Sequence, residues 1–286
     1  MPKILIVDTS ALVHRAYHAF PDTLTNKEGL PTNAIYGFTT LLLSAIEKVK
    51  PEYIVCAFDT PKPTFRHQEF VDYKAHRKPM EDNLKLQFPH VEVILNAFKI
   101  PILKVEGFEA DDLLGTIAEH LKDNHKNIDI IIASGDMDTL QLVDDDIVRV
   151  YTLKKGINDT ILYNEDKVKE RFLFAPKYLP DYKGLRGDPS DNIIGIKGIG
   201  EKTATTIVSE YGTLEKMYEV LKKNPEKIRA LGVTERVFNL LKDGEEEAIF
   251  SKTLATIRRD APIIFELPEN IWKETVVTES VAQFFR

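Results

Sequence analysis

Apolar runs and helical patterns alternate along the first 150 residues. Apolar residues recur at helical spacing in 33–49 and in 109–122, and Pro51 ends the first of these helices. Strand-length apolar runs are found at 3–7, 53–58, 91–94, 102–104, 128–133 and 147–151. Strands that alternate with helices predict an α/β fold, with a mostly parallel central sheet flanked by helices on both faces.

From about residue 175 the pattern becomes helical. Strand patterns fade, and Gly or Pro residues separate short predicted helices at 201–210, 213–223, 225–231, 234–242 and 245–256. No long linker or low-complexity stretch separates the two halves. We therefore expect an α/β core at 1–174 and, packed on it, a helical subdomain at 175–286.

Residues 60–90 interrupt this alternation. The segment is rich in proline and holds a cluster of basic residues, namely Lys62, Arg66, Lys74, Arg77 and Lys78. A long excursion directly after a strand is typical of a functional lid, and we predict an arch at about 62–90. A solvated surface helix with scattered charges is the alternative.

Acidic residues stand at the ends of the predicted strands. Asp8 and Asp59 each close an apolar run, and Asp136 with Asp138 follows a third. Two further motifs supply Glu109, Asp111 and Asp112 at a helix start, and Asp188 and Asp191 in the sequence GDPSDN. Because ligands of parallel sheets bind at the carboxyl ends of the strands, we expect these nine carboxylates to converge.

Such a cluster of carboxylates requires counter-ions. Like charges a few ångströms apart raise one another's pKa and oppose folding. Hard oxygen ligands favour Mg²⁺ or Mn²⁺, so the sequence predicts a divalent-metal site. For Glu109, Asp111 and Asp112 the alternative is simple capping, because the helix dipole favours negative charge at a helix start. Capping does not explain the acids at three strand ends.

The segment 195–203 contains the strongest short motif. It nearly matches the phosphate-binding loop of NTPases, but Glu201 precedes Lys202 and no apolar strand comes directly before it. We predict a hairpin between two short helices at about 185–210, whose backbone N–H groups bind a phosphate without reading bases. A plain helix–turn–helix corner is the alternative.

Composition and charge limit the classes of protein to which the chain can belong. The 286 residues carry a formal net charge of −7, with 43% hydrophobic and 29% charged residues, as in an ordinary globular protein. No apolar run could span a bilayer, no signal peptide precedes Asp8, and the single cysteine, Cys56, excludes an internal disulfide. We therefore expect a cytoplasmic protein. The basic cluster beside a metal-binding acidic pocket suits a phosphate-containing polyanion.

Three other chemistries are disfavoured. His14 and His18 have the spacing of zinc ligands, but no cluster of Cys or His residues accompanies them. Ser134 does not lie in a nucleophile elbow, so a hydrolase triad is not predicted. A phosphotransferase that used Asp8 as a nucleophile would favour a D-x-D start, whereas this chain has Asp8-Thr9-Ser10.

Taken in order, the motifs resemble those of the 5′-nuclease (flap endonuclease) family, in particular the N-terminal 5′→3′ exonuclease domains of bacterial DNA polymerase I. The segments that carry the resemblance are LIVD at 5–8, AFD at 57–59, FR at 65–66, YKAHR at 73–77, EADD at 109–112, SGDMD at 134–138, GDPSDN at 187–192 and GIGEKTA at 198–204. The resemblance implies a PIN-like 5′-nuclease fold with a helical arch, and a helix–three-turn–helix in the C-terminal subdomain.

The resemblance also implies roles for single residues. One divalent ion, Mg²⁺ or Mn²⁺, would be held by Asp8, Asp59, Glu109 and Asp111. The second would be held by Asp111, Asp136, Asp138 and Asp191, with Asp112 and Asp188 assisting. Lys74 and Arg77 would be catalytic together with the bridging Asp111, because they stabilise the reacting phosphate. The implied DNA contacts are His14, Arg15, Arg66, Tyr73, Lys74, Arg77, Lys197, Gly198, Ile199, Gly200, Lys202 and Thr203. The hairpin would also bind K⁺.

Some positions depart from the family pattern. His14 stands where a stacking Tyr or Phe is common, and an imidazole ring can still stack on a base. Ile194 replaces a proline, and Met137 and Thr139 replace the commoner Lys and Leu. None of these four is an implied metal ligand, so the implied site is complete.

The resemblance predicts a structure-specific 5′ nuclease with 5′→3′ exonuclease and flap endonuclease activity. The expected substrates are branched, flapped or nicked duplex DNA and RNA/DNA hybrids, in replication and excision repair. We expect a monomer associated with the bacterial nucleoid and not with a membrane. Two alternatives remain open for the chain: a domain fused to a polymerase beyond the C-terminus, or a stand-alone nuclease. The alternative is a non-catalytic structure-specific DNA-binding protein, which has no need for converging carboxylates.

Overall fold

A computed structural model describes residues 1–125, 127–145, 147–155 and 159–275. In these residues the strands are β1 Lys3–Asp8, β2 Tyr53–Ala57, β3 Ile102–Leu103, β4 Asp129–Ala133, β5 Val148–Lys155 and β6 Asp159–Tyr163. The helices of the first half are α1 Thr9–Ala19, α2 Asn33–Val49, α3 Phe65–Glu69, α4 Asp82–Lys85, α5 Phe88–Ala97 and α6 Ala110–Asn124. The later helices are α7 Glu165–Phe172, α8 Leu179–Arg186, α9 Glu201–Tyr211, α10 Leu214–Lys223, α11 Pro225–Arg229, α12 Glu235–Asp243, α13 Glu245–Ala255 and α14 Trp272–Thr275. Two 3₁₀ turns occupy Met137–Leu142 and Pro176–Tyr178.

The strands form one sheet in the order β3-β2-β1-β4-β5-β6. Neighbouring strands are parallel except for β6, which is antiparallel to β5. The chain builds the sheet to one side of β1 and then crosses to its other side at β4. The crevice beside such a reversal, at the carboxyl ends of the strands, is where parallel sheets bind ligands. The predicted mostly parallel sheet is confirmed, and Asp8 lies at its centre.

Both faces of the sheet are covered by apolar side chains. Leu5 and Val7 point into a buried cluster formed with α1, α2 and α5. Ile4 and Ile6 point into a second cluster, formed with α6 and the helices of the C-terminal half. This alternation explains why β1 is apolar throughout, because a strand covered on both faces has no solvent side. The C-terminal helices thus pack directly on the α/β core.

One predicted strand is wrong. Residues 91–94 belong to α5, in which Val91, Ile94 and Leu95 are buried on one face at a spacing of three and four residues. Pro89 lies in the first turn of this helix, where its missing N–H removes no hydrogen bond. A short β-branched run does not distinguish a strand from one turn of a buried helix. The strand β6 and the helices α7 and α8 were not predicted.

The five helices predicted in the C-terminal half are confirmed as α9 to α13, with ends that differ by at most two residues. After α13 the chain returns across the α/β core. Trp272 donates its indole N–H to the carbonyl of Phe98 at 2.8 Å, and its backbone N–H to the carbonyl of Glu52 at 2.8 Å. The end of the predicted subdomain, 276–286, lies outside the described residues. Across the described residues, every helix is too short or too polar to serve as a membrane span.

Candidate active site

A cleft of about 950 Å³ opens at the carboxyl ends of the central strands. Seven of the nine predicted carboxylates line it, namely Asp8, Asp59, Glu109, Asp111, Asp136, Asp138 and Asp188. Asp191 lies beside Asp138 and Asp188, within the same group of carboxylates. The ninth, Asp112, lies behind the cleft and is fully buried. The structure therefore brings together acids from five separate stretches of sequence.

Asp8 is held at the end of β1 by two hydrogen bonds. Its Oδ1 accepts from the backbone N–H of Ala11 at 3.0 Å and caps α1, while its Oδ2 accepts from the Ser134 hydroxyl at 2.7 Å. Burial, followed by repulsion from Asp59, raises the pKa of Asp8 to about 7. The Ser134 oxygen also accepts from the N–H of Asp136 at 3.0 Å. Ser134 thus links two strand-end acids, a positioning role that the sequence did not indicate.

Asp111 lies in the first turn of α6, within 4.8 Å of oxygens of Glu109 and Asp112. Its Oδ1 is buried and has no hydrogen-bond partner among the described residues. Burial, together with the charge of Asp112, raises the pKa of Asp111 well above its usual value. A buried carboxylate oxygen without a donor is unfavourable unless a cation binds it. These residues therefore fit a divalent ion, and capping alone does not account for Asp111.

Asp59 occupies the rim of the same group. Its side chain is exposed, and its Oδ1 accepts from the N–H of Ala110 at the start of α6 at 2.7 Å. Its own N–H donates to the Ser10 hydroxyl at 2.9 Å. The end of β2 is thereby tied to the starts of α1 and α6, which fixes Asp59 opposite Asp8 and Asp111.

A second group of carboxylates consists of Asp138, Asp188 and Asp191, whose oxygens lie within 4.8 Å of one another. The Lys183 ammonium on α8 donates to Asp138 and to Asp188. Burial, offset in part by Lys183, raises the pKa of Asp138 to about 7, and the neighbouring Asp136 adds to the rise. Lys183 was not predicted, because a lone lysine inside a helix carries no motif.

Lys74 and Arg77 cover this second group from the segment between α3 and α4. Lys74 adopts a left-handed backbone conformation (φ 56°), which its N–H stabilises by donating to the carbonyl of Asp191 at 2.9 Å. Its ammonium lies 2.6 Å from Oε1 of Glu109 and 3.6 Å from Oδ2 of Asp191. Arg77 forms an ion pair with Asp191. A strained backbone at such a site is typical of functional residues.

Arg66 does not lie where a DNA contact requires it, and this part of the sequence prediction is wrong. The side chain is buried, with 1% of the residue exposed. All five of its N–H groups donate at 2.8–2.9 Å, to the carboxylates of Glu109 and Asp112 and to the carbonyls of Leu254 and Thr256. A guanidinium offers five donors in total, so none remains for a phosphate.

The same network holds two other predicted site residues. Both oxygens of Asp112 accept hydrogen bonds, from Arg66 and from the N–H groups of Glu109 and Arg258, and Asp112 is fully buried behind the cleft. Tyr73 is also buried, and its hydroxyl donates to Glu109 and Asp191 at 3.0 and 3.1 Å. Tyr73 therefore orients carboxylates, and its ring is not free to stack on a base.

The predicted hairpin connects α8 and α9. Gly200 precedes the first residue of α9 without a side-chain cap, so the first N–H groups of that helix are not capped by a side chain. Lys197, Gly198, Gly200 and Lys202 are exposed, and Thr203 is half-buried. Gly198 has φ +103°, a conformation that other residues rarely adopt.

Ile199 differs from its neighbours in the hairpin. Its side chain is buried, and its N–H donates to the carbonyl of Ile196 at 2.9 Å. It therefore anchors the hairpin to the core, and neither its side chain nor its N–H is available to a DNA phosphate. His14 and Arg15 on α1 line the cleft, and the ring centroids of His14 and Phe88 lie 5.9 Å apart in an edge-to-face arrangement.

Comparison with known proteins assigns the chain to a family. Residues 3–173 match the model described as 5′-3′ exonuclease, N-terminal resolvase-like domain, and residues 174–277 match the 5′-3′ exonuclease, C-terminal SAM fold. DNA polymerase I of Caldicellulosiruptor bescii is 42% identical over 275 residues, which are 95% of this chain and 31% of that protein. The chain spans under a third of the length of the curated relatives it matches. It belongs to the 5′-3′ exonuclease family.

Solved structures share the fold. The T5 5′-exonuclease with bound zinc superposes with a TM-score of 0.69 at 20% identity, over 99% of this chain and 96% of that chain. A T5 flap endonuclease in a pseudo-enzyme-product complex with DNA and metal ions gives a TM-score of 0.68 at 21% identity, over 88% of each chain. This likeness shows the PIN-like 5′-nuclease fold, with a helical C-terminal part.

Proposed function

We propose that the protein is a structure-specific 5′ nuclease that hydrolyses phosphodiester bonds of DNA with the help of divalent metal ions. The observation that carries the proposal is the convergence of seven carboxylates in one cleft, among them Asp111, whose buried Oδ1 has no hydrogen-bond partner among the residues the structure describes. Lys74 and Arg77 line the same cleft. Membership of the 5′-3′ exonuclease family supports the same function.

The chain offers ligands for two ions. Asp8, Asp59, Glu109 and Asp111 would hold the first, and Asp111, Asp136, Asp138 and Asp191 the second, with Asp112 and Asp188 assisting. When bound, a pair of Mg²⁺ or Mn²⁺ ions supplies an activated water for attack and stabilises the oxygen that leaves. Asp112 would assist from behind the cleft, through its hydrogen bonds to Arg66 and to the N–H of Glu109.

The remaining groups position the substrate. Lys74 and Arg77 would bind the reacting phosphate once their present carboxylate partners hold metal, and they would stabilise its growing negative charge. Exposed Lys197 and Lys202, together with N–H groups at the start of α9, would hold the phosphates of a duplex without reading its bases. His14 and Arg15 would contact the strand that enters the cleft.

Finer features belong to the same proposal. Residues 1–174 would form the nuclease core, with the arch at 62–90, and residues 175–286 the DNA-binding subdomain. The substrates would be flapped, branched or nicked DNA and RNA primers, with 5′-phosphate products, in replication and repair. The hairpin would bind K⁺, and the protein would act as a monomer in the bacterial cytoplasm beside a fused polymerase domain.

A cleavage assay tests the proposal. A 5′-labelled flap duplex is incubated with the protein in Mg²⁺ or Mn²⁺, with and without EDTA, and the products are sized. We expect short labelled products in the presence of Mg²⁺ or Mn²⁺, and no such products when EDTA is added. Retention of intact substrate in a stable complex under all metal conditions would instead establish a non-catalytic DNA-binding protein. Cleavage that persists in EDTA would exclude the metal-dependent mechanism.

A further inference from the structure

Lys183 is a buried cation between two of the acids of the cleft. It lies on α8 with 8% of the residue exposed. Its ammonium donates to Oδ1 of Asp138 and to Oδ2 of Asp188. The same two residues, together with Asp191, make up the second group of carboxylates. Lys183 therefore occupies the oxygens that a cation in this group would use.

The two groups of carboxylates differ in how they are neutralised. In the first group, one buried oxygen of Asp111 has no donor within the part of the chain that the structure describes. In the second group, Lys183 forms ion pairs with Asp138 and Asp188, and Arg77 forms an ion pair with Asp191. Burying paired charges is tolerable, whereas leaving one partner unpaired is strongly unfavourable. Every acid of the second group thus has a cation of the chain as its partner, whereas Asp111 in the first group keeps one buried oxygen for which no donor is described.

We propose that Lys183 is the resident counter-ion of the second group and that it must leave Asp138 and Asp188 before a divalent ion binds there. The inference rests on the proposed two-ion function. Lys183 is a positioning residue in this scheme, because it sets how tightly the second ion is held.

The competition follows from the hydrogen bonds of Asp188. Its Oδ1 already accepts from the N–H and the hydroxyl of Ser190, at 2.9 and 2.6 Å. Its Oδ2 is the oxygen that faces Lys183, so an incoming ion meets an ammonium at the free side of the carboxylate. An ammonium and a divalent cation in contact with the same oxygen repel each other strongly at low dielectric. The flexible stem of lysine allows the ammonium to turn into the cleft, which it lines.

Binding of Mn²⁺ to the full chain, without DNA, tests this inference. Titrations by calorimetry or electron paramagnetic resonance compare wild type with Lys183→Met and Lys183→Arg. Lys252→Met is the matched control, because Lys252 also bridges two carboxylates, at 2.7 Å from Asp181 and 2.7 Å from Glu215, but stands outside the cleft.

Lys183→Met removes the competitor and leaves the second group unneutralised. We expect the weaker Mn²⁺ to bind at least about tenfold more tightly, since an uncompensated buried charge is that unfavourable. Lys183→Arg and Lys252→Met should keep the wild-type affinity. Unchanged or weaker binding of the second ion to Lys183→Met would overturn the inference and leave the proposed function intact. A wild-type protein that binds no Mn²⁺ would overturn both.

A measurement on the wild-type protein covers the case in which Lys183→Met does not fold. Lysine acylation by an N-hydroxysuccinimide ester is followed by mass spectrometry, with and without Mn²⁺. Release from two carboxylates should raise the labelling rate of Lys183 several-fold when Mn²⁺ is present, while Lys252 stays unchanged. A Lys183 labelling rate that does not rise at saturating Mn²⁺ would contradict the inference.

Discussion

Replacing Asp111 by asparagine should make the metal-free protein more stable and should greatly slow its cleavage of DNA. The change removes a carboxylate whose pKa burial and Asp112 raise well above the ordinary value. In the metal-free protein the fold therefore disfavours the ionised form, which the unfolded chain prefers at neutral pH. Asparagine is nearly isosteric and carries no charge, so it removes this penalty.

The gain is the cost of keeping this carboxyl un-ionised, about 1.4 kcal/mol for every tenfold change in its acid dissociation constant. For a chain of this length, each kcal/mol raises the melting temperature by roughly 2 °C. When metal is present, the wild type should become the more stable of the two proteins. Wild type should gain about 2.7 kcal/mol from an ion present at a hundred times its dissociation constant, whereas the variant gains little. Cleavage should fall at least about a hundredfold, because a ligand between two ions contributes several kcal/mol.

Thermal unfolding in EDTA and in Mg²⁺, beside single-turnover cleavage, checks both halves of this prediction. Asp123→Asn is the matched control, since Asp123 is exposed on the same helix. The stability gain in EDTA should shrink as the pH falls toward 4 and vanish below it, because Asp111 then becomes protonated in the unfolded chain as well. A metal-free Asp111→Asn protein that is less stable than wild type, or one that cleaves at the wild-type rate in excess Mg²⁺, would refute the reasoning.

Three further predictions concern neighbouring groups. Lys74→Ala should slow single-turnover cleavage more than it weakens DNA binding. If the cleavage rate and the DNA affinity fall by the same factor, Lys74 only binds the substrate and does not stabilise the transition state. Arg66→Lys should destabilise the fold by about 3–5 kcal/mol in denaturant titrations, because lysine cannot replace five donors, whereas exposed Arg259→Lys should have little effect. Burial raises the pKa of Asp8 and Asp138 to about 7, so protons compete with metal and Mn²⁺ affinity should fall as the pH drops below about 7. The same shifts make the metal-free fold lose stability as the pH rises from about 4 to about 7, and Mn²⁺ affinity that is independent of pH across this window would contradict the assignment.

The sheet and the acid cluster could be predicted because their signals are local. Each central strand is a short apolar run, and the acid that follows it must stand at the carboxyl edge of a parallel sheet. The burial of Arg66 has no such signal. It depends on carbonyls contributed by residues 188 and 190 positions further along the chain. In sequence, Arg66 is one more member of a basic cluster, and only packing distinguishes it from Lys74.

The pairing of Lys183 with Asp138 could not be predicted for the same reason. The two residues are 45 positions apart, and α8 was itself missed, because a helix that begins with a 3₁₀ turn and contains proline and glycine gives a weak periodic pattern. The run at 91–94 misled for the opposite reason: it is strongly β-branched but too short to reveal its period. Local pattern thus predicts which acids meet, and long-range contacts decide which cations neutralise them.

The hydrogen bonds of Arg66 also decide whether the two family segments of this chain can be separated or exchanged. Its carboxylate partners belong to the first family segment and its carbonyl partners, Leu254 and Thr256, to the second. The N–H of Arg258 completes the same junction from the second segment. A chimera that joins the first half of one relative to the second half of another must therefore match the chain just after α13 to the start of α6. The two segments can therefore be exchanged between relatives only if these contacts of Arg66 are kept, even though each segment matches a separate family description.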